Sequence, residues 1–178
     1  MKTEKLIVID MQADFINKAL GTKEAVAIVP VVKTLVEAYK QKNNPIIFTR
    51  DTHFENYMTT LEGKKLPVPH CIKNTEGWEI NPILDTTDCT IIDKITFGYT
   101  NWKDYLSEND TITIVGLCTD ICVISNALII RALYPNATIR IVTDATAGVT
   151  EDTKAAALAV AGCCQIDLIE SNELINIL

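Results

Sequence analysis

The segment TITIVGLCTDICVISNALIIR, residues 111–131, decides the fold predicted for this chain. It opens with β-branched residues at 111–115, which are typical of a short buried strand. Gly116 interrupts this run, and Asp120 is a candidate N-cap for the apolar helix that follows. Cys122 is therefore predicted to lie in the first turn of a helix, just past the end of a strand.

This position favours ionisation of the Cys122 thiol. The unpaired N–H groups of a helix start and the positive end of the helix dipole stabilise a thiolate. Because a thiolate is a nucleophile, the segment predicts covalent catalysis through this sulfur. The alternative is that Cys122 is a small apolar core residue, which is the usual role of a cysteine in an apolar helix.

The composition limits the classes of protein to be considered. The chain has 178 residues, which suits one domain with a sizeable core, and 48% of them are hydrophobic while 6% are aromatic. Aliphatic residues dominate, as in parallel α/β folds. The net charge of −7 comes without a basic block, so we expect no nucleic acid and no membrane as partners.

Asp10 cuts short the apolar run at the N-terminus, so no signal peptide is predicted. No apolar run approaches the ~20 residues of a membrane span, and we therefore expect a cytoplasmic protein. Without a secretion signal, the six cysteines do not indicate a disulfide framework, and no CxxC pair indicates a thiolate zinc site.

Strands and helices are predicted to alternate along the chain. The predicted strands cover residues 5–9, 45–49, 90–93, 111–115, 138–143 and 165–169, and the predicted helices cover residues 25–42, 102–106 and 152–161 besides the helix after Cys122. Residues 52–82 form a long polar loop, and a loop of that length is usually functional or disordered. The alternation predicts an α/β, doubly wound (Rossmann-like) three-layer sandwich with a central, mostly parallel sheet.

Three charges and a thiol are predicted to meet at one rim of this sheet. Asp10, Asp51, Lys94 and Cys122 all follow the carboxyl ends of strands, where ligands bind in such folds. Asp10 can take the proton of Cys122, and Lys94 can stabilise the thiolate and hold Asp10. Read singly, Asp10 could be a helix cap and Lys94 a solvated strand end, so only their joint placement favours catalysis.

The long loop holds a second candidate cluster. It carries both histidines of the chain, His53 and His70, and Asp51-x-His53 at a strand end offers two ligands to one metal. With Glu62 these residues would form a site with two histidines and two carboxylates, which suits Zn²⁺, or else Mn²⁺ or Fe²⁺. Glu55 is a competing carboxylate, and the alternative is two exposed histidines without a metal.

Together these residues make the chain resemble the isochorismatase-like cysteine hydrolases, and within them the nicotinamidase branch. The resemblance runs from residue 6 to about residue 148 and implies a single hydrolase domain of this family over residues 1–178. Its motifs are VIDMQADF at 8–15, RDTH at 50–53, LPVPHC at 66–71, Lys94 with the downstream FGYT, and GLCTDICV at 116–123.

The resemblance implies a catalytic triad in which Asp10 is the general base, Lys94 its partner and Cys122 the nucleophile. It also implies a cis peptide bond before Cys118, whose backbone N–H would then join that of Cys122 in an oxyanion hole. Asp14 matches the second acid of the first motif, for which a structural role is expected.

In the nicotinamidase branch a metal binds the pyridine nitrogen of the substrate. Asp51, His53 and His70 match the ligand motifs of that site, and Glu62 matches a carboxylate ligand of some members. Other members use a third histidine, which this chain lacks, so the fourth ligand is open between Glu62, Glu55 and water.

Aromatic residues near these motifs are candidates for the walls of a flat substrate pocket. They are Phe15, Phe97, Tyr99 and Trp78, and core packing is the alternative for each.

The implied activity is that of a metal-dependent amidase. It would hydrolyse nicotinamide to nicotinate and ammonia through a thioester on Cys122. The alternatives are a cysteine amidohydrolase for another small amide or N-carbamoyl compound, and a non-catalytic binding protein, against which the intact triad argues. The resemblance also implies a homo-oligomer, either a dimer or a tetramer.

Overall fold

A computed structural model describes residues 3–178, so the first two residues of the predicted domain lie outside the described part. Six strands form one parallel sheet in the order β3-β2-β1-β4-β5-β6. The strands are β1 Thr3–Ile9, β2 Ile46–Asp51, β3 Thr90–Lys94, β4 Asp110–Leu117, β5 Thr138–Ala147 and β6 Asp167–Ile169. The α-helices are α1 Ala13–Ile16, α2 Lys23–Gln41, α3 Leu61–Lys65, α4 Ile124–Leu133, α5 Glu151–Cys163 and α6 Ser171–Ile177.

Helices cover both faces of this sheet. On one face, α2 packs its buried side, including Val32, Leu35 and Tyr39, against the sheet. On the other face, α4 and α5 contribute the buried residues Ile130 and Ala161. The predicted doubly wound, Rossmann-like, three-layer fold is therefore confirmed, and its sheet is wholly parallel. The chain reverses its winding between β1 and β4, which is where such folds place their ligand sites.

Strand β4 extends further than the sequence pattern predicts. Gly116 does not interrupt it, since the strand continues through Gly116 to Leu117. Gly116 has φ +112°, and a Cβ at this position would lie 2.1 Å from the carbonyl oxygen of Ile9 on β1. Glycine is required here because β1 and β4 approach each other this closely. The strand therefore carries the chain directly to the cysteine segment.

Strand β5 also runs past its predicted end at Thr143 and reaches Ala147. Its pairing with β4 changes register along the way, because Ile114 pairs with Ile141 but Gly116 pairs with Thr146. Such an irregularity re-aims the following residues, and period-two patterns do not predict it.

The predicted long loop, 52–82, is folded rather than open. It contains α3 and the 3₁₀ turns Tyr57–Thr59 and Glu76–Trp78. A β-bridge between His53 and Ile72 fastens it beside β2. Within residues 3–178, no helix is at once long enough and apolar enough to cross a membrane.

Candidate active site

Lys94 lies at the centre of a buried cluster at the carboxyl end of the sheet. Its Nζ is 2.7 Å from Oδ2 of Asp10, 3.3 Å from Oδ1 of Asp51 and 3.6 Å from Sγ of Cys122. The side chain of Lys94 is fully buried, and so is that of Asp10. The structure thus brings together all four residues that the sequence predicts at this rim.

Asp10 is held on both of its carboxylate oxygens. The hydroxyl of Thr49 donates to Oδ1 at 2.6 Å, and the Lys94 ammonium faces Oδ2. Burial raises the pKa of Asp10, although the charge of Lys94 partly offsets this. A carboxylate in this environment is more basic than an exposed one, which suits a group that must accept a proton.

Cys122 is not the acidic thiol that the sequence predicts. Burial and the negative charge of Asp10 raise the pKa of the Cys122 thiol well above its ordinary value, and Lys94 offsets this only in part. That part of the prediction is wrong because a helix-start effect is small beside complete desolvation next to carboxylates. A base must therefore take the proton from this sulfur, and Asp10, which shares the Lys94 ammonium with Cys122, is the candidate.

The turn that carries Cys122 is π-helical. It spans Thr119–Val123 and follows Cys118, whose peptide bond with Leu117 is cis, as the resemblance implies. The carbonyl of Cys118 accepts hydrogen bonds from the N–H groups of Ile121 and Val123, at 3.1 and 3.0 Å. Single π-helical turns are rare in proteins, and those that occur often lie at functional sites.

Asp120 does not cap this helix. The residue at the N-cap position is Cys118, and no side chain caps the turn there. The carboxylate of Asp120 instead accepts from the N–H of Val149 at 3.1 Å and from the hydroxyl of Thr153. It thereby ties the nucleophile turn to the start of α5, which is a role that local sequence does not reveal.

The second predicted cluster also assembles. Asp51, His53, Glu62 and His70 each offer a ligand atom, and these atoms lie within 4.8 Å of one another. His53 Nε2 is 2.9 Å from Asp51 Oδ2, and His70 Nε2 is 3.7 Å from Glu62 Oε1. Both histidines are buried, at 8% and 2% exposure, so the alternative of two exposed loop histidines is excluded. Glu55, the competing carboxylate, is exposed and does not belong to this group.

These residues fit a divalent cation on two observations. His53 Nε2 is buried and makes no well-aligned hydrogen bond among the described residues, although the carboxylate oxygens of Asp51 and Glu62 lie 2.9 and 3.5 Å away, as they would around a shared cation. His70 Nδ1 lies 2.8 Å from the carbonyl oxygen of Val68, a contact that places its proton on Nδ1 and leaves the Nε2 lone pair directed inward. Two imidazoles and two carboxylates match the ligand preferences of Zn²⁺, Mn²⁺ and Fe²⁺.

Asp51 belongs to both clusters. Its Oδ1 faces Lys94, and its Oδ2 faces the two histidines. Burial acts to raise the pKa of Asp51, but the His53 ring 2.9 Å away and the charge of Lys94 outweigh burial and lower it. Asp51 is therefore held as a carboxylate, the form that both a cation and Lys94 require.

Both clusters open into one cavity of about 590 Å³. Asp51, His70 and Cys122 line its inner end. Phe15 and Phe97, two of the predicted pocket walls, also line it. The sequence missed the aliphatic part of the lining, which includes Leu61, Leu66, Ile95, Leu117, Ile121 and Val149.

Tyr99 and Trp78 do not line this cavity, which corrects their prediction as pocket walls. The Tyr99 ring packs edge-on against Trp102, with 5.3 Å between ring centroids. Trp78 is buried beneath the guanidinium of Arg50 and donates from Nε1 to Thr52 at 2.9 Å. Both residues therefore have the alternative role, core packing. The sequence could not show this, because it does not give the direction of a side chain.

Gln12 supports the site and was not predicted to. Its Nε2 donates to the carbonyl oxygens of Asp51 and Trp78, and its Oε1 accepts from the N–H of Asp51 at 2.7 Å. A buried glutamine bonded on both ends to one strand terminus fixes where that strand presents its carboxylate. The sequence feature that could have indicated this supporting role of Gln12 is its position inside the DMQADF motif.

Asp14 contacts backbone rather than the reacting groups. Its Oδ2 accepts from the N–H of Cys71 at 2.7 Å, and Cys71 directly follows His70. Gly77 packs against this carboxylate so closely that a Cβ would lie 2.0 Å from Oδ2. These contacts agree with the structural role that the resemblance implies.

Asn126 is a second supporting residue that the sequence did not indicate. It is fully buried, and its Oδ1 accepts from Tyr99 N–H at 2.8 Å and from Trp102 Nε1 at 3.1 Å. Its Nδ2 donates to the carbonyls of Phe97 and Cys122 at 3.1 and 2.8 Å. One side chain thus fastens the pocket segment after β3 to the turn that carries the sulfur.

Asn126→Ala is expected to lower the free energy of unfolding by about 2–5 kcal/mol, because four hydrogen bonds are lost at once, two of them fully buried. Urea denaturation followed by circular dichroism measures this change. The matched control is Asn136→Ala at an exposed asparagine, which should change stability by less than about 0.5 kcal/mol. Equal effects of the two substitutions would contradict the proposed support.

Residues 4–173 match the Isochorismatase domain family. The chain is 27% identical over 188 aligned positions to the nicotinamidase/pyrazinamidase of Mycobacterium tuberculosis, covering 94% of this chain and 98% of that protein. It is 24% identical to the nicotinamidase of Schizosaccharomyces pombe, covering 72% and 77%. The crystal structure of Pyrococcus horikoshii pyrazinamidase in complex with zinc superimposes with a TM-score of 0.80 at 28% identity, over 94% of this chain and 98% of that one.

Proposed function

Because the chain belongs to the isochorismatase family, in its nicotinamidase branch, we propose that this hydrolase of amide C–N bonds acts on nicotinamide and releases nicotinate and ammonia. The observation that carries the proposal is the double contact of Asp51. We call Asp51, His53, Glu62 and His70 the donor set. Asp51 contacts both His53 of this set and Lys94, so the donor set and the Lys94 cluster face one cavity. A ring held at the donor set can therefore present its carboxamide to Cys122.

The proposed reaction begins with proton transfer. Asp10 takes the proton of the Cys122 thiol, and Lys94, 3.6 Å from the sulfur, stabilises the thiolate as it forms. The sulfur attacks the carboxamide carbon, and the C=O electron pair moves onto oxygen. The backbone N–H groups of Cys118 and Cys122 are proposed to donate to this oxyanion.

The tetrahedral intermediate then collapses. The C–N bond breaks, Asp10 passes its proton to the leaving nitrogen, and ammonia departs while a thioester remains on Cys122. Asp10, now a carboxylate again, takes a proton from a water that attacks the thioester. Collapse of the second intermediate returns the proton to sulfur, releases the acid and restores the resting thiol, which agrees with the raised pKa of Cys122.

Asp51, His53, Glu62 and His70 would hold a divalent ion, for which we propose Zn²⁺ first and Mn²⁺ or Fe²⁺ as alternatives. When bound, such an ion would supply Lewis-acid chemistry for the pyridine nitrogen of the substrate. The residues of the chain contribute orientation: Val68 sets the tautomer of His70, and Lys94 holds Asp51.

Purified wild-type protein supplied with Zn²⁺ is expected to release ammonia from nicotinamide with saturable kinetics. A coupled glutamate dehydrogenase assay measures the ammonia, and chromatography identifies nicotinate. If nicotinamide is inert but another small amide or an N-carbamoyl compound is hydrolysed, the alternative substrate class replaces nicotinamide. If every small amide is inert with metal supplied, the amidase proposal fails.

Elemental analysis of protein purified without chelator is expected to find about one divalent ion per chain, as a single site of this ligand type holds. His53→Ala should lose the ion, and Glu62→Gln should bind it at least about ten-fold more weakly. Saturating Zn²⁺ should stabilise wild type by about 2.7 kcal/mol at one hundred times Kd.

Glu55→Gln is the matched control for Glu62→Gln, because Glu55 is exposed and lies outside the donor set. It should keep wild-type metal content. Loss of the ion in Glu55→Gln but not in Glu62→Gln would overturn the proposed ligand set, and a wild type that binds no ion would remove the metal from the proposal.

A further inference from the structure

The mouth of the active-site cavity is lined by exposed apolar side chains. Leu61 is 71% exposed, Ile95 68%, Val149 57% and Phe97 46%, and all four line the cavity. They come from three separate segments: α3, the stretch after β3 and the connection that leads into α5. We call these four residues the apolar collar. Large apolar side chains that are exposed together in one patch mark a binding surface, whereas scattered single ones do not.

The collar is held in place by specific hydrogen bonds. Asp120 accepts from the N–H of Val149 and fixes that residue relative to the nucleophile turn. Thr60 caps α3, since its hydroxyl oxygen accepts from the N–H of Gly63 at 3.0 Å. Asn126 donates to the carbonyl of Phe97. An apolar surface that is positioned in this way loses little entropy when a ligand covers it.

The cavity is larger than nicotinamide needs. Its volume of about 590 Å³ falls within the range of about 300–1,000 Å³ that encloses a drug-sized ligand. Nicotinamide is a single ring with one carboxamide and would fill only the inner end, beside Asp51, His70 and Cys122. The collar would then have no contact with the substrate.

The direction of an added group follows from the ring itself, and this step rests on the proposed function. If the ring nitrogen faces the donor set and the carboxamide on carbon 3 faces Cys122, carbon 2 lies between these two contacts. Carbon 5 is diametrically opposite carbon 2 on a six-membered ring. A substituent on carbon 5 therefore points away from the inner end, toward the mouth.

We propose that the collar binds an apolar substituent on carbon 5 of the ring, so that 5-alkyl- and 5-aryl-nicotinamides are better ligands than nicotinamide. The charged side chains that line the cavity are Asp51 and Glu62, which belong to the donor set, and Lys65, which is exposed to solvent. Nothing in the collar would pair with a charged substituent. Burial of a phenyl group against Leu61, Phe97 and Val149 supplies the gain.

Binding is tested apart from turnover in zinc-loaded Cys122→Ala protein by isothermal titration calorimetry. We expect 5-phenylnicotinamide to bind about ten-fold more tightly than nicotinamide, with a more negative heat-capacity change because apolar surface is buried. The positional control is 2-phenylnicotinamide, whose ring substituent would face the inner end; it should bind more weakly than nicotinamide. Equal binding by the 2- and 5-isomers would overturn the proposed direction.

The collar is tested by Leu61→Ser/Val149→Ser in the same Cys122→Ala protein. This change should reduce the ten-fold preference for 5-phenylnicotinamide over nicotinamide to about two-fold. The matched control is Val160→Ser on α5, an exposed apolar residue away from the cavity, which should keep the full preference. A preference that survives in the collar variant would contradict the assignment.

The outcomes separate this inference from the proposed function. If wild type hydrolyses nicotinamide but 5-phenylnicotinamide binds no better, the collar inference is overturned while the proposed function stands. If 5-phenylnicotinamide binds through the collar and is hydrolysed while nicotinamide is inert, the collar inference is supported and nicotinamide is replaced as the substrate. If neither compound binds, both fail.

Discussion

Cys122→Ala is expected to lower kcat for amide hydrolysis by about 10⁴- to 10⁶-fold, as the loss of a nucleophile does in other covalent hydrolases. The physical reason is that no other atom of the Lys94 cluster can form the thioester. The loss of one sulfur from the core should cost no more than about 1–2 kcal/mol of unfolding free energy. Single-turnover kinetics and urea denaturation of the same preparation separate the two effects.

Cys163→Ala is the matched control, because Cys163 is exposed at the end of α5 and should leave turnover unchanged. Cys118→Ala tests the proposed division of roles within the motif. It removes a thiol but keeps the peptide N–H, so its loss of kcat should stay below about ten-fold. A loss in Cys118→Ala as large as in Cys122→Ala would contradict the assignment of the nucleophile.

Lys94→Met is the second substitution with a large expected effect, and it should impair both turnover and stability. Lys94 is the cation that lies between Asp10 and Asp51 in a fully buried position. Its removal leaves buried carboxylates without their partner, which typically costs about 3–5 kcal/mol. We also expect kcat to fall by at least about 10³-fold, since the thiolate loses its stabilising charge. Denaturation curves and kinetics measured well below the unfolding temperature give the two quantities.

The double variant Asp10→Asn/Lys94→Met separates catalysis from folding. It removes the close ion pair as a unit, and replacing both partners of a buried pair is often nearly neutral for stability. We expect most of the lost unfolding free energy to return while turnover stays absent, because the base and the cation are both missing. Recovery of activity together with stability would mean that Lys94 acts only in folding.

The elements of the fold were predictable because the residue patterns are local. Buried parallel strands appear as short β-branched runs, such as residues 111–115, and helices appear as periodic apolar stretches. The extra length of β4 and β5 was not predictable in this way. It depends on the close contact between Gly116 and Ile9 and on a register change opposite Ile114, which both arise between strands.

Several expectations remain predictions for this protein. They are a single domain over residues 1–178, a cytoplasmic location, and assembly as a dimer or tetramer. The C-terminal helix α6 buries Leu174 in the core but leaves Ile175 and Ile177 exposed.

The sequence by itself determined which reactive groups the chain brings to the carboxyl end of the sheet. A residue that follows a parallel strand must emerge at that edge, so Asp10, Asp51, Lys94 and Cys122 could be grouped from strand positions alone. Asp51 and His53 could likewise be read as two ligands of one metal, since their spacing at a strand end is local, whereas His70 and Glu62 come from the long loop.

Only the tertiary structure decided how those groups behave. In the folded chain Glu62, and not Glu55, lies beside Asp51 and the two histidines. Tyr99 and Trp78 pack outside the cavity. Burial raises the pKa of the Cys122 thiol. The physical reason is that desolvation and Coulomb interactions depend on distances between segments that are remote in sequence. A local motif places the sulfur at the start of a helix, but its pKa is raised by burial in the folded chain and by carboxylates that arrive from two other strands.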